Sequence, residues 1–511
     1  MITNNIASLL SQTAQALPDK TFLIAGEERL TFAEVDTQAT KVACAMAHLG
    51  IKPGQVVALM LPNVPLFPIC YYAALKLGSV VMPLHARSTG PEIGFALQDA
   101  RAAVLLSTRP VHEAAIQGWA EAGLDCQLVL AGLGAETSLP PQAHRLETLL
   151  DTVSEADITN LSIQPIEEEM DAVILFTSGT TNRPKGVRLS HRNLRAITPQ
   201  YAQLCGLSPD AVLLLFMPAT VIVGQILLNT ATLLGASLSL MPVFDPGQFF
   251  NAITQQRVTF FPMVPMVAQL MLNSPFAQSV DLTSLRSVMI GATSVHPELV
   301  ARFTKRFEIP IVIPYGLTEC SMISLARPDL NSPEGSVGKP IPDTLLSIVD
   351  DEGKPVAPGE QGEILVRSPH VMKGYLNRPA ETAAAFVDGW LRTGDLGYVD
   401  HEGFLFIVER ISDLIKTAGN RVFPAEVERV LEMHPAVAQA AVIGRPHSQV
   451  GEIVQACVVL KPGMSATIQE IKNHCRLHLA SFKRPRQIVF MEQLPRNATG
   501  KVLRRMLRHA S

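Results

Sequence analysis

The chain has 511 residues, too many for a single hydrophobic core and about the length of three domains. Charged residues make up 17% of it, against about 25% in an average soluble domain, which favours extensive burial or a greasy substrate. The formal net charge of -4 argues against a nucleic-acid-binding protein as a whole.

The seven cysteines are scattered, without a C-x-x-C pair or metal-ligand spacing, and this indicates a reducing, cytoplasmic compartment. The first residues lack a basic stretch followed by an apolar core, so we expect no signal peptide. From Arg476 onward basic residues accumulate and Glu492 is the only acid. Such a run is typical of a solvated basic helix, and an anionic partner is the alternative.

Apolar runs alternate with helical periodicity through the first half of the chain. Strands are predicted at residues 56–61, 80–83, 103–107, 128–130, 172–176 and 213–217, and helices at 32–49 and 66–77. Alternation of this kind predicts parallel sheets covered by helices.

Residues 211–244 contain no charged side chain, so a membrane span has to be considered. Pro218, Gly224, Gly235 and several polar residues divide this segment into pieces shorter than the ~20 apolar residues of a span. We therefore predict a buried strand, a loop and a core helix, and no integral membrane segment.

Between residues 333 and 369 the pattern changes to short alternating strands with Pro and Gly turns, which predicts a small β-rich subdomain. A charged stretch at 409–413 then precedes another βα pattern of small-domain length. We expect an N-terminal domain at 1–408, a hinge at 409–412 and a C-terminal domain at 413–511.

The strand predicted before residue 177 runs into a segment rich in hydroxyl groups. These hydroxyls can donate hydrogen bonds to an anion, a glycine lets backbone N–H groups approach it, and a lysine adds positive charge. The residues concerned are Thr177, Ser178, Gly179, Thr180, Thr181 and Lys185. The segment is not a Walker loop, because Lys185 is preceded by proline and followed by glycine. A polar turn between strands is the structural alternative.

In residue order this segment resembles the phosphate-binding signature of the ANL superfamily, the adenylate-forming enzymes that include acyl-CoA synthetases, peptide-synthetase adenylation domains and firefly luciferase. The resemblance extends from Leu30 to Arg505, with the motifs in the family's order. It implies an α/β fold: a large N-terminal domain of parallel-rich sheets covered by helices, a small β-rich subdomain, and a small mobile α+β C-terminal domain.

The resemblance also implies chemistry in two steps. A carboxylate attacks the α-phosphate of MgATP to give acyl-AMP and pyrophosphate, and a thiol then displaces AMP. ATP, Mg²⁺ and CoA are the implied substrates and cofactor. No protein nucleophile is needed, so catalysis would depend on positioning and charge stabilisation.

The motif P-Y-G-L-T-E-C is similar to a second signature of the family. Tyr315 would offer a flat face to adenine, and Gly316 would let the backbone line the acyl pocket. Thr318 would meet the α-phosphate, while Glu319 and Thr180 would hold magnesium, a cation that prefers oxygen ligands. Three further residues are assigned to AMP binding: Gly291, Ala292 and Thr293.

Two later motifs resemble the family's ribose site and hinge. Asp395, in T-G-D, would accept both hydrogen bonds of a ribose diol, although an aspartate in such a turn is also an ordinary turn former. Arg410 would lie near the same ribose. Ser412 matches the hinge position, where other members more often carry Asp or Lys.

The C-terminal domain would supply the remaining catalytic groups. Lys416 and Gly419 match positions that face the site in the thioester-forming arrangement, with Gly419 at the CoA tunnel. Lys501 matches the family's catalytic lysine, a cation that steadies negative charge in the transition state.

The residues that the resemblance assigns to the acyl pocket have no charge. They are Val221, Gly224, Met263, Val264, Ile290, Gly316 and Cys320. Amino-acid-activating relatives place an aspartate here to bind an α-ammonium group, and this chain has none. We expect an uncharged hydrophobic acyl group, because burying an unpaired charge would cost several kcal/mol. About half of these residues are expected to belong simply to the core.

The resulting prediction is an acid–thiol ligase of the acyl-CoA synthetase type, acting on a medium- or long-chain fatty acid. An aryl acid such as a coumarate or benzoate is the alternative substrate, and the phosphopantetheine thiol of an acyl carrier protein is the alternative to CoA. A non-catalytic nucleotide sensor is disfavoured, because a binding protein does not need Lys501 on a mobile domain.

Overall fold

The computed structural model describes residues 4–134, 137–177, 184–278, 280–496 and 502–509. In chain order the strands are β1 Thr21–Ala25, β2 Glu28–Thr31, β3 Val56–Met60, β4 Val80–Pro83, β5 Val104–Thr108, β6 Gln127–Ala131, β7 Ala143–Arg145, β8 Asp171–Thr177, β9 Lys185–Ser190, β10 Val212–Leu215, β11 Ser237–Leu240, β12 Phe260–Met263, β13 Ser287–Ile290, β14 Ile311–Tyr315, β15 Ser324–Ala326, β16 Lys339–Pro340, β17 Leu345–Val349, β18 Gly362–Arg367, β19 Gly374–Tyr375, β20 Phe386–Val387, β21 Trp390–Val399, β22 Leu405–Arg410, β23 Ile415–Thr417, β24 Asn420–Val422, β25 Val437–His447, β26 Gly451–Leu460 and β27 Gln487–Phe490. The helices are α1 Ser8–Ala16, α2 Phe32–His48, α3 Leu66–Lys76, α4 Gly90–Ala100, α5 His112–Ala122, α6 Leu146–Asp151, α7 Glu155–Asn160, α8 His191–Leu204, α9 Ile222–Leu234, α10 Pro246–Gln255, α11 Pro265–Asn273, α12 Pro297–Phe307, α13 Pro379–Ala385, α14 Pro424–Glu432, α15 Ile468–His478 and α16 Arg504–His509.

Within the described residues, one large sheet has the strand order β16-β15-β14-β13-β12-β10-β11-β1-β2. Its centre, from β14 to β1, is parallel, while β15, β16 and β2 join antiparallel at the two edges. Parallel neighbours need crossover connections, and helices α9 to α12 provide them. The parallel centre places the carboxyl ends of these strands at one edge of the sheet.

A second sheet has the order β19-β9-β8-β4-β3-β5-β6-β7. It is parallel from β8 to β7, and β9 and β19 extend it antiparallel. The largest core cluster contains side chains of both sheets and of α2, α3, α8 and α9. Helix α3 is buried from its second residue to its last, as expected of a helix enclosed between two layers.

The uncharged segment 211–244 folds as β10, α9 and β11, which confirms the predicted buried strand and core helix. Most side chains of α9 from Gly224 onward are buried. No helix in the described ranges combines the length and apolar composition needed to cross a bilayer.

Strand β10 ends two residues earlier than predicted, and the side chain of Asn63 explains why. Its amide nitrogen lies 3.2 Å from the Leu215 carbonyl oxygen, 2.9 Å from that of Met217 and 3.2 Å from that of Met241. Its amide oxygen accepts a hydrogen bond of 3.0 Å from the backbone N–H of Ala219. Because this side chain serves backbone groups beyond Leu215, the chain can leave the sheet with them satisfied.

The β-rich part forms a sheet of order β17-β18-β21-β20, with β22 paired to β21. It extends well past residue 369, where the sequence pattern placed its end, because the glycines of β21 obscure the strand periodicity. A final sheet, β24-β23-β26-β25 with β27 beside β26, packs against α14 and α15. The chain passes between these two sheets through a 3₁₀ turn at Ile411–Asp413. The predicted α/β organisation is confirmed.

Candidate active site

Three neighbouring parallel strands bring predicted site residues to one edge. Strands β12, β13 and β14 pair in parallel, so their last residues, Met263, Ile290 and Tyr315, lie at the same end of the sheet. Open α/β sheets bind ligands outside the carboxyl ends of their strands. The residues assigned to the acyl group and to the nucleotide are therefore adjacent.

The carboxylate of Asp395 is the best-organised group of the site. It is only 4% exposed, accepts a 2.7 Å hydrogen bond from the hydroxyl of Tyr315, and pairs with Nε of Arg410 at 2.8 Å. Asp395 faces Arg410 across β21 and β22, and Thr393 Oγ accepts from the Asp395 N–H at 3.1 Å. Burial, and then the Asp395 charge, raise the pKa of Tyr315 well above its ordinary value, so the phenol remains a donor.

Arg410 keeps its charge although it is largely enclosed. Burial opposes the charged form, but Asp395, Tyr315 and Glu319 outweigh it and raise the pKa of the guanidinium. The pair with Asp395 is thus a fixed arrangement of donors and acceptors at the end of β22. Such an arrangement suits a ligand with paired hydroxyl groups.

Glu319 is held from two directions in the 3₁₀ turn Thr318–Cys320. Its Oε1 accepts a 2.9 Å hydrogen bond from the hydroxyl of Tyr375, and its backbone carbonyl accepts one of 2.7 Å from the N–H of Met372. Tyr375 belongs to the two-residue strand β19, at the edge of the second sheet. The two large sheets therefore meet at Glu319.

Lys185 begins β9 opposite Thr177, the last residue of β8. Its ammonium forms an ion pair with Glu381 and lies 5.0 Å from the centroid of the Tyr375 ring. Thr177 and Lys185 thus bracket the predicted phosphate loop. Four predicted loop residues lie outside the described ranges: Ser178, Gly179, Thr180 and Thr181.

The backbone is packed closely beside Tyr315. A Cβ on Gly316 would come within 2.0 Å of the Ser321 carbonyl oxygen, and a Cβ on Gly291 within 2.9 Å of Cγ of Pro314. The next two residues after Gly291, Ala292 and Thr293, are exposed at the same strand end, and Ala292 has a φ of +66°. Packing alone therefore requires glycine at both Gly316 and Gly291.

The predicted acyl residues divide into core and surface positions. Met263, Val264 and Ile290 belong to a core cluster with phenylalanines of α10 and β12, and Cys320 belongs to the largest core cluster. Val221 is half-buried immediately before α9. In Gly224, a Cβ would approach Cα of Ala219 to 2.9 Å, so this glycine lets the helix start close over its own turn.

The residues predicted to act in the thioester-forming arrangement, and the predicted hinge residue, are exposed. Lys416 is on β23, where its backbone N–H donates to Glu452 Oε2 at 2.8 Å. Gly419 has a φ of +80° in the tight turn to β24, a conformation that favours glycine. Ser412 is exposed in the turn Ile411–Asp413. Lys501 lies outside the described residues.

A polar cluster adjoins that turn. Glu409 Oε2 accepts a 2.9 Å hydrogen bond from the backbone N–H of Ala425, at the start of α14. Arg504 donates to Asp413 at 3.0 Å and to Glu428 at 2.8 and 2.9 Å, and lies 4.0 Å from Glu409. Burial raises the pKa of Glu409, with Arg504 acting in the opposite direction.

A magnesium ion fits the donor set around Glu319. In the part of the chain that the structure describes, no three His, Cys, Asp or Glu side chains are grouped closely enough to hold a metal by themselves. Mg²⁺ does not need such a cage, because it commonly binds one or two carboxylates together with substrate phosphates and water. The single oriented carboxylate of Glu319 meets that requirement.

Four residues of the site were not found by sequence reasoning: Tyr375, Glu381, Thr393 and Glu409. Tyr375 and Glu381 reach the site only because β19 pairs with β9, and a two-residue strand has no periodicity to detect. Thr393 and Glu409 are next to motif residues. A search for polar neighbours of Asp395 and Arg410 would have identified them.

Comparisons with known proteins identify the family and support the fold. Residues 10–376 match the family model of the AMP-binding enzymes, and residues 426–501 match that of their C-terminal domain. The chain is 35% identical to the long-chain-fatty-acid–CoA ligase of Bacillus subtilis strain 168, over 98% of this chain and 94% of the relative. It is also 35% identical to the indoleacetate–CoA ligase of Aromatoleum aromaticum, covering 95% and 94%. The crystal structure of ATP-bound MatB from Rhodopseudomonas palustris superposes with a TM-score of 0.88 at 27% identity, over 99% of both chains.

Proposed function

This chain belongs to the AMP-binding enzymes, the ANL superfamily of adenylate-forming enzymes, and we propose that its acid substrate is a medium- or long-chain fatty acid. It is an acid–thiol ligase that uses ATP, Mg²⁺ and CoA. The reaction joins the acid to CoA through an acyl-AMP intermediate and releases pyrophosphate and AMP. The identity of the acid, and the residues that act on it, are our proposals.

The observation that carries the proposal is the uncharged character of the acyl side of the strand edge. Met263, Val264 and Ile290 are buried among aromatic side chains, and Val221 is half-buried at the start of α9. An ammonium or a second carboxylate in these surroundings would be desolvated without a partner, which would cost several kcal/mol. An alkyl chain has no such penalty and gains from burial.

The nucleotide side would act through the groups already in place. The Asp395 carboxylate would accept hydrogen bonds from the ribose hydroxyls beside Arg410, and the ring of Tyr315 would face adenine. Thr318, Thr177 and Lys185 would meet the phosphates, together with the loop between residues 177 and 185. Mg²⁺ bound at Glu319 would neutralise phosphate charge.

The proposed C-terminal domain, residues 413–511, would supply one cation to each half-reaction. Lys501 would steady the charge that develops as the carboxylate meets the α-phosphate. Rotation at Ser412 would then replace it with the face of Lys416 and Gly419, which lines the entry of the CoA thiol. In each arrangement the protein positions charge and excludes water without itself forming a covalent bond.

The substrate can be tested by measuring pyrophosphate release with ATP and a panel of acids: octanoate, palmitate, benzoate, coumarate and indoleacetate. Each acid is assayed with and without CoA. We expect the highest kcat/KM with octanoate or palmitate, and acyl-CoA formation only when CoA is present. A higher kcat/KM with an aryl acid would overturn the fatty-acid proposal. If AMP release requires a phosphopantetheine-bearing carrier protein instead of CoA, the carrier protein would replace CoA as the thiol acceptor.

A further inference from the structure

Tyr375 contacts two residues to which the proposed function gives different tasks. Its hydroxyl donates to Oε1 of Glu319 at 2.9 Å, and Glu319 is the candidate magnesium ligand. The face of its ring is 5.0 Å from the ammonium of Lys185, the candidate phosphate-binding cation. One half-buried side chain therefore lies between the metal carboxylate and the phosphate-loop lysine.

The backbone fixes the position of this tyrosine. Strand β19 pairs antiparallel with β9, so that Tyr375 lies opposite Val187, and the N–H of Leu376 donates to the Gly186 carbonyl at 2.7 Å. The Tyr375 N–H donates to the hydroxyl of Thr382 at 2.9 Å. Because the backbone is held on both sides, only rotation about the side-chain bonds of Tyr375 can move the ring away from Lys185.

The two contacts involve different parts of the side chain. A phenol donating to a carboxylate leaves the other carboxylate oxygen oriented for a cation, and partners of this kind set the affinity of metal ligands. An aromatic face near an ammonium attracts it through the ring quadrupole.

Lys185 has a second partner, the carboxylate of Glu381 on α13. This ion pair draws the ammonium toward α13, while the ring of Tyr375 offers it a face beside Glu319. Lys185 is therefore positioned by β19 and α13 together. Both elements come after β9 in the chain.

We propose that Tyr375 is a positioning residue that orients Glu319 for the metal through its hydroxyl and supports Lys185 for the phosphates through its ring. The proposal rests on the metal and phosphate roles given above to those two residues. It does not depend on which acid the enzyme activates.

The hydroxyl is tested by the substitution Tyr375→Phe, with Mn²⁺ and ATP as the probe. Binding of the MnATP complex to the protein is measured from the enhancement of the water-proton relaxation rate by protein-bound Mn²⁺, without acid or CoA. We expect Tyr375→Phe to weaken Mn²⁺ binding by about 10-fold, as for loss of a group that orients a metal ligand. Unchanged Mn²⁺ affinity would overturn the role of the hydroxyl.

A double-mutant cycle separates orientation of Glu319 from a general structural effect. In the Glu319→Gln background the metal carboxylate is already absent, so the added Tyr375→Phe substitution should have no further effect on Mn²⁺ affinity. An equal loss in both backgrounds would mean that the hydroxyl acts independently of Glu319, and the proposal would fail.

The ring is tested by comparing Tyr375→Leu with Tyr375→Phe in the same assay. Leucine removes the aromatic face as well as the hydroxyl, so MnATP binding should fall by about a further 3-fold, the range of a partly exposed cation–π contact. Equal affinities for the two variants would refute support of Lys185 by the ring.

Tyr398→Phe is the matched control, because Tyr398 stacks on Phe406 at 4.8 Å in the β-rich sheet, away from these two contacts. It should leave Mn²⁺ affinity unchanged. Circular dichroism and thermal melting identify any variant that fails to fold. The acid panel tests the fatty-acid proposal separately, because none of these binding measurements contains an acid.

Discussion

At the scale of single residues, Asp395 is the group on which most other contacts depend. Tyr315 donates to one of its oxygens and Arg410 pairs with the other, while Thr393 fixes its backbone. A ribose diol reaching this carboxylate would meet acceptors that are already oriented. Orientation before binding reduces the entropy lost when the ligand is held.

We predict that Asp395→Asn lowers the affinity for AMP by about 10-fold or more, the scale of a lost hydrogen bond to a charged group. The asparagine also leaves the charge of Arg410 without its closest anion. Isothermal titration with AMP measures the effect. Asp210→Asn, which removes an exposed ion pair with Arg286, is the control and should leave AMP affinity unchanged. Wild-type affinity in Asp395→Asn would contradict the ribose role.

Two buried histidines predict a loss of stability in acid. Burial lowers the pKa of His191 and His370 to about 4. Unfolded histidines bind a proton near pH ~6.5, so between that pH and about 4 the unfolded chain holds more protons than the folded one. Stability therefore falls as the pH falls through this interval, by about 1.4 kcal/mol per pH unit for each histidine.

His370→Gln should remove one histidine's share of this pH dependence. Urea unfolding midpoints measured from pH 7 to pH 4.5 should fall less steeply for the variant than for the wild-type protein, even if the variant is less stable at pH 7. Parallel curves would show that His370 does not contribute to the loss. The difference between curves cancels the contribution of carboxylates, which titrate in both proteins.

At the scale of elements, the junction between β22 and the last sheet is built around Glu409. Its carboxylate joins the end of β22 to the first turn of α14, where a helix N-terminus favours negative charge. Arg504 of α16 lies nearby and also bonds Asp413 and Glu428. These contacts hold the two sides of the turn Ile411–Asp413 in the arrangement described here.

Glu409→Ala should therefore change the balance between the two half-reactions. Loss of the contact changes the relative free energy of the two domain arrangements, and we expect the ratio of acyl-AMP formation rate to thioester formation rate to change by about 5-fold or more. Pyrophosphate exchange and single-turnover thioester formation measure the two rates. Arg421→Gln, which removes the exposed pair with Asp351, is the control. An equal change in both rates would count against this role of Glu409.

Local patterns predicted the regular elements better than the contacts between them. Helices α2 and α3 each end only one residue before the predicted end. Their signals are local, because apolar periodicity, and the capping box of Thr31 and Glu34 at the start of α2, are encoded within a few residues. Tyr375 escaped prediction because it meets Glu319 across 56 residues of chain, through the pairing of a two-residue strand. The early end of β10 escaped for the same reason, since Asn63 is 152 residues from Leu215.

The predicted acyl residues show a different limit. Sequence reasoning predicted apolar surroundings at Met263 and Ile290, and both side chains are buried in a hydrophobic cluster. An apolar residue at a strand end, however, fits a hydrophobic core and a substrate pocket equally well. The motif residues Tyr315, Asp395 and Arg410 come together in one hydrogen-bonded group, which the resemblance implied without giving its geometry. Their roles toward substrates stay predictions.

At the scale of the whole molecule, the proposed reaction divides its groups between two units. The proposed nucleotide contacts come from the large sheets and the β-rich sheet, whereas the proposed catalytic lysine, Lys501, belongs to the proposed C-terminal domain. Under this proposal, adenylation would require one particular placement of the last sheet. Lys501 would be present in the first half-reaction, and the face of Lys416 would replace it in the second.

Lys501→Ala should slow acyl-AMP formation by ~10²-fold or more, the scale for removing a preorganised charge donor. Thioester formation from supplied acyl-AMP should be affected much less, because the proposed rotation would remove the lysine from the site. Pyrophosphate exchange and a single-turnover assay with CoA distinguish the steps. Wild-type exchange in this variant would defeat the assignment.

The position of Arg410 would link the proposed nucleotide site to the proposed domain rotation. Arg410 is the last residue of β22, pairs with Asp395, and immediately precedes the turn that contains Ser412. If turning the last sheet alters the Asp395–Arg410 pair, AMP must bind the two arrangements with different affinities, and by thermodynamic reciprocity AMP must bias the rotation by the same factor. Departure of AMP would then be the event that resets the enzyme for its next cycle.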